Sequence, residues 1–243
     1  MAIPITAIET GEDTDIMPLA NIGIIVLNFL VFFYELALSN GALSKFFLDY
    51  SLVPCEYTNH CAAYAGAPHP FWLTLFSSMF MHAGWAHILG NMLFLFVFGN
   101  HVERSMGHVR YLVFYVLCGL GASVLEIATA VNSGVPGLGA SGAIAGVLAG
   151  FLVLYPGAKI GSLIPIGVLY IPARIPAWVF IGFWFLYQLV NGVATINSTS
   201  TSTGGVAYWA HVGGFITGIL LVRVLSISDR VEHLRVSHNL ALP

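Results

Sequence analysis

The sequence predicts an all-α bundle built into a lipid bilayer, and three observations carry that prediction. The chain of 243 residues is 58% hydrophobic and 8% charged, with a mean hydropathy of +0.86. A soluble domain carries about 25% charged residues. Its apolar residues fall into six runs of helical length, and counting across six crossings puts nearly every Lys and Arg on one side. The fold class is therefore a polytopic membrane protein with six transmembrane helices. A net charge of −3 supplies no nucleic-acid surface, so the expected medium and first partner is the lipid bilayer.

Each run has its own justification. Residues 1–17 carry Glu9, Glu12, Asp13 and Asp15 without a Lys or Arg and read as a short polar tail. No cleavable signal is expected, because no basic residue precedes the first apolar run. That run, Pro18 to about Leu38, matches the roughly 20 residues a crossing needs. Residues 39–85 form a long connection with Pro54, Pro68 and Pro70, ending in an aromatic patch (Phe71, Trp72, Phe76, Phe80) suited to a membrane interface. The second run goes from about Ala86 to Gly99 and on to Val102, closed by Glu103 and Arg104. The third covers about Val109 to Val131, and the fourth Ser141 to about Tyr155. Residues 157–173, with Lys159, Pro165 and Pro172, read as a connection, apolar enough over Leu163 to Ile171 to dip into lipid. The fifth run is about Ile175 to Val193 and the sixth about Val206 to Ile227, with a Ser/Thr stretch between them. Residues 228–243 read as a short cytoplasmic end, interfacial or without fixed structure.

With six crossings, Arg104, Arg110, Lys159, Arg174, Arg223, Arg230 and Arg235 share one side and only Lys45 lies on the other. Basic residues concentrate on the cytoplasmic side. Both termini are then cytoplasmic, and connections 39–85, 132–140 and 194–205 face outward. The expected location is the plasma (inner) membrane, with Ser141 at the outer top of its helix.

Polar groups at membrane depth are costly and tend to be functional. Ser141 follows the glycine-rich Gly137-Leu138-Gly139-Ala140 and opens the fourth helix. Backbone N–H groups there have no intrahelical partner, so the hydroxyl is either a plain cap or a nucleophile beside ready-made oxyanion donors. His87 and Asn91 lie four apart on one face of the second helix, with His82 just before it. His211 lies on the sixth helix with Gly214 and Gly218 on its side. The fourth helix has a small-residue face of Gly142, Ala145, Gly146, Ala149 and Gly150. Small faces let helix backbones approach closely, so helices four and six are expected to pack and bring His211 to Ser141. A Ser–His pair suffices for nucleophilic catalysis. No Asp lies in an apolar run, so a dyad is expected, with His211 held by packing.

Three motifs in this order, His82-x4-His87-x3-Asn91-Met92, Gly139-Ala140-Ser141-Gly142-Ala143-Ile144 and Ala210-His211-x-Gly213-Gly214, resemble those of the rhomboid family of intramembrane serine proteases. Val102-Glu103 followed by Gly107 fits as well. The resemblance covers about residues 18–227 and implies a six-helix rhomboid-like protease domain with a water-filled cavity open to the outside. It implies Ser141 as nucleophile and His211 as general base and acid. The oxyanion site would be His87, Asn91 and the Ser141 backbone amide, supported by His82 and Gly139. Substrates would be single-span transmembrane proteins, with no cofactor and no implied oligomeric state. Phe180 and Trp184 on the fifth helix resemble a lateral gate or are ordinary lipid-facing aromatics. Two positions depart from the family pattern. Trp72-Leu73 replaces a Trp-Arg pair common in the first long loop, and Ala145 stands where some members stack a Tyr on the catalytic histidine. A catalytically silent relative that binds membrane clients is the alternative, although such proteins usually lack the Ser or the His.

The remaining candidates read as follows. His82 either tunes cavity water or hydrogen-bonds its loop. No metal is expected, since no His-Glu-x-x-His motif accompanies the histidines. Cys55 and Cys61 can pair in an oxidising compartment, and Cys118 is a packing residue. Asn197-Ser198-Thr199 fits a glycosylation sequon. Glu126 is assigned no catalysis.

Overall fold

A computed structural model describes residues 2–7, 17–62, 71–167, 169–196 and 207–237. The acidic stretch at 9–15 and the Asn197 sequon lie outside the described residues. Among the described residues, four helices are long and apolar enough to cross a bilayer. They are α1 (Leu19–Ala37), α7 (His108–Thr129), α9 (Ala177–Ile196) and α10 (Tyr208–Leu225). A fifth candidate is bent. A short helical stretch over Phe71–Phe80 meets a long one, Trp85–Met106, at 83°. The long arm consists of α5 (Trp85–Phe94), one wide π turn at Leu95–Gly99, and α6 (Asn100–Met106). The short arm includes α4 (Thr74–Ser77). Between α1 and that arm lie α2 (Asn40–Tyr50) and α3 (Pro54–Tyr57).

At the centre stands α8 (Ser141–Leu154), 14 residues long. It is apolar on every face and uncharged, which marks a helix enclosed by others, and everything from Gly142 to Phe151 is buried. Helices α7, α9 and α10 and the wide turn all pack against it. The small-residue faces do what their sequence predicts. A Cβ on Gly214 would run into the Gly142 carbonyl, and one on Gly218 into that of Gly146. Helices α8 and α10 therefore touch backbone to backbone, which only glycine permits at those crossings.

The wide turn is anchored by polar groups from α1. Asn21 donates through Nδ2 to Leu95 O at 3.0 Å and Asn100 Oδ1 at 2.8 Å, and accepts from the Tyr111 hydroxyl at 2.7 Å. Glu103, fully buried, accepts the N–H groups of Ala20 at 2.9 Å and Asn21 at 2.6 Å. A carboxylate is favoured where a helix begins, since its free N–H groups carry partial positive charge. The Glu103 of the sequence motif thus fixes where α1 starts.

Contacts between connections sort into two ends. At one, Leu52 pairs with Gly137, Cys55 N–H donates to Ser133 O at 3.0 Å and Thr58 donates to Val131 O at 2.6 Å. The long connection is thereby tied to the loop before α8, and a Cys55–Cys61 disulfide closes a small ring in it. The Tyr57 hydroxyl bonds Thr74 at 2.5 Å and Ser77 donates to Tyr50 O at 2.6 Å. These bonds hold the loop that has Trp72-Leu73 in place of Trp-Arg.

The other end differs from its sequence reading. Residues 157–173, expected to be a connection or a dip, form an antiparallel hairpin, β2 (Lys159–Ile166) and β3 (Leu169–Pro176), and the expected tail contributes β1 (Ile3–Thr6) to its edge. A three-stranded sheet thus caps an otherwise helical bundle. Residues 228–243, read as a loose end, begin with α11 (Ser228–Ser237), which packs on α6 and buries Val231 and Leu234.

Candidate active site

Ser141 is the first helical residue of α8, not its cap. Ala140 precedes it, and no side-chain cap bond is made at this terminus. Its hydroxyl points instead to α10, where Ser141 Oγ and His211 Nε2 lie 2.8 Å apart. The glycine crossings of α8 and α10 bring together two residues 70 apart in sequence.

The other face of the imidazole settles its tautomer. His211 Nδ1 lies 2.9 Å from Gln188 Oε1 of α9. An amide oxygen only accepts, so Nδ1 carries the proton and Nε2 is free to accept the serine proton. The Trp184 ring, one turn before Gln188, lies 5.6 Å from the His211 ring at 41°. His211 is therefore held by a bond and a ring contact, both from α9. The ring contact that Ala145 cannot make comes from Trp184.

Opposite the serine, Gly139 has φ +126°, a region open to glycine. A Cβ there would lie 2.7 Å from His87 Nε2. The chain two residues before Ser141 thus runs against His87, and Asn91 Nδ2 borders the same spot at 3.7 Å from that position. Asn91 Nδ2 and His82 Nε2 are 2.9 Å apart, so one amide hydrogen goes to His82 and the second is left for another acceptor. The His82 backbone N–H is in turn held by Glu35 of α1 at 3.2 Å. The His82 and His87 rings meet edge to face at 5.0 Å. Ser141, His211, His87, Asn91, His82 and Gly139 are thus one cluster.

Of the two gate candidates, Phe180 is buried against Phe94 and Phe98, with ring centroids 6.2 and 6.3 Å apart. Neither Phe180 nor Trp184 is a plain lipid-facing aromatic. Glu126 accepts the Ala210 N–H at 3.1 Å, serving the start of α10, which has no side-chain cap of its own. Cys118 is buried against Gly146. Among the described residues, no three His, Cys, Asp or Glu side chains gather in a way that suits a metal ion.

The sequence reading missed Gln188. The filter that picked out His87 and Asn91, a polar side chain in an apolar run, applies equally to it. Familiar triads point to a carboxylate as the histidine's partner, and neither an Asp nor Glu126 is placed to serve; a neutral amide falls outside that pattern.

A family model described as Rhomboid domain matches residues 69–228. Rhomboid protease AarA of Providencia stuartii is 28% identical over 213 residues, covering 82% of this chain and 69% of its own length. Rhomboid protease GluP of Bacillus subtilis (strain 168) is 31% identical over 156 residues, 64% of this chain and 26% of its own. RHOMBOID-like protein 4 of Arabidopsis thaliana is 32% identical over 160 residues, 63% of this chain and 34% of its own. The chain spans about a third of that plant protein's length.

Proposed function

The chain belongs to the rhomboid family, and from that premise we propose that it is an intramembrane serine endopeptidase using a Ser141–His211 dyad. The observation that carries this reading is the 2.8 Å contact between the Ser141 hydroxyl and His211 Nε2.

In this mechanism Ser141 Oγ attacks the carbonyl carbon of the scissile peptide bond while its proton passes to His211 Nε2. The carbonyl oxygen becomes an oxyanion, stabilised by the Ser141 amide and the side chains of His87 and Asn91. Collapse breaks the C–N bond, and His211 gives its proton to the leaving amine. Water then attacks the acyl-enzyme ester and loses its proton to His211. As the ester breaks, the proton returns to Ser141 and the acid product leaves.

Helical carbonyls are already hydrogen-bonded, so a substrate span must unwind locally before it reacts. Spans with small or helix-weakening residues near the cut are the expected substrates, and equal cleavage of a matched poly-Leu span would count against this. In this reading the chain crosses six times with both termini cytoplasmic, and the site opens toward the outer face. Phe180 and Trp184 line the side where a substrate enters.

The test is reconstitution in liposomes with a single-span reporter. Ser141→Ala and His211→Ala should each lower cleavage about 10⁴-fold or more. Labelling by a fluorophosphonate should disappear in Ser141→Ala. A Ser141→Ala protein that cleaves like wild type overturns the proposal, and reporter binding without cleavage by wild type makes the protein a silent client binder.

A further inference from the structure

Helix α9 has two unlike faces. Phe183, Leu186, Tyr187, Val190 and Val193 are each more than half exposed, as befits a helix facing lipid. The opposite stripe, Phe180, Trp184 and Gln188 at four-residue spacing, faces the bundle. An amide in that stripe is costly unless satisfied, and Gln188, only 4% exposed, meets its need through His211. One turn further, Trp209 Nε1–H of α10 donates to Gly192 O at 3.0 Å. Positions 184, 188 and 192 thus all meet α10, the first two on the imidazole itself.

We propose that Gln188 is the positioning residue of His211, holding the Nδ1–H tautomer from α9, so that the base is set for proton transfer only while α9 lies against α10. This rests on the protease reading. It adds a neutral amide where a carboxylate serves in Ser-His-Asp triads, and it puts that group on the helix bordering the entry side. An α9 displaced from α10 leaves the ring free to rotate and Nε2 free to carry the proton, so the serine loses its acceptor.

The experiment compares the full chain with Gln188→Leu and Gln188→Glu in the reconstituted reporter assay. Gln188→Leu keeps the volume and removes the acceptor; its kcat should fall roughly 10²-fold or more with KM within about twofold, and Ser141 labelling by fluorophosphonate should slow in parallel. Gln188→Glu keeps the acceptor and should retain most of the activity. The acid limb of its kcat–pH profile should move to higher pH, because a carboxylate at that place holds the proton on the ring more tightly. A position 188 that does not reach the His211 ring would leave that limb where it is. The proposal is overturned if Gln188→Leu keeps kcat within threefold of wild type, or if the acid limb of Gln188→Glu coincides with wild type. Should Gln188→Leu fail to fold, the Gln188→Glu profile decides alone. The protease reading fails separately, through unchanged cleavage by Ser141→Ala, whatever Gln188 does.

Discussion

Gly139 shows how a single backbone position shapes the chemistry. Its φ of +126° and the 2.7 Å gap between a would-be Cβ and His87 Nε2 leave no room for a side chain without moving the histidine or the loop. Gly139→Ala is expected to lower kcat at least tenfold, read in the reporter assay, with the Ser141–His211 pair still labelling with fluorophosphonate. His87→Ala and Asn91→Ala each remove a candidate oxyanion donor, and the expected loss is about 10²–10³ in kcat with little change in KM. Unchanged kcat in both variants would leave the oxyanion assignment without support. At this scale the site was largely legible. Ser141, His211, His87 and Asn91 stand out as polar side chains in apolar surroundings, and lipid gives such groups no other company. Gln188 stands as plainly in an apolar run, but a neutral amide has no charge to advertise its partnership with an imidazole. Trp184 was seen, yet its ring contact depends on the rotation of α9, which spacing alone does not set.

The contact between α8 and α10 is a property of whole helices, because their glycines work as a register. Gly214 faces Gly142 and Gly218 faces Gly146, so a branched side chain at either place forces the backbones apart and carries His211 away from Ser141. Gly218→Val, two turns below His211, should abolish cleavage and lower the thermal midpoint in micelles, as overpacking costs typically 1–3 kcal/mol or more. Glu126 completes the start of α10, and Glu126→Ala should cost about 0.5–2 kcal/mol, the usual range for losing a helix cap. An unchanged midpoint would show that water replaces the carboxylate. Helix positions were readable from apolar run length, and observed limits fall within a few residues of those expected. The sheet was not. Pro165 and Pro172 read as breakers, yet Pro172 lies on the edge strand β3, and Pro165 lies beyond Leu163, the last β2 residue paired with β1. Proline is tolerated where no ladder bond is asked of its nitrogen, and such an edge is visible only once the strands are paired.

For the molecule as a whole, the contacts between connections describe a bundle with two distinct ends. Strand β1 pairs with β2, and the Ile227 N–H donates to Ser105 O at 2.9 Å, so both terminal segments meet connections that six crossings would place on their own side. The long connection and the loop before α8 meet at the opposite end. That arrangement agrees with the one-sided arginines, from which the orientation was inferred. In sealed right-side-out vesicles of a Cys118→Ala background, an impermeant maleimide should label Ser133→Cys and spare Arg230→Cys. The reverse pattern would overturn the orientation while leaving the catalytic proposal intact.

A last consequence lies in the length of α8. Fourteen residues rise about 21 Å, whereas the hydrocarbon layer is about 30 Å thick. Ala158 and Ile160 are buried just past Leu154, so in the proposed orientation the shortfall would lie above Ser141. Acyl-chain length thereby becomes a control on the reaction: short-chain lipids bring the headgroups down to the serine, and long-chain lipids leave it deeper and should slow turnover.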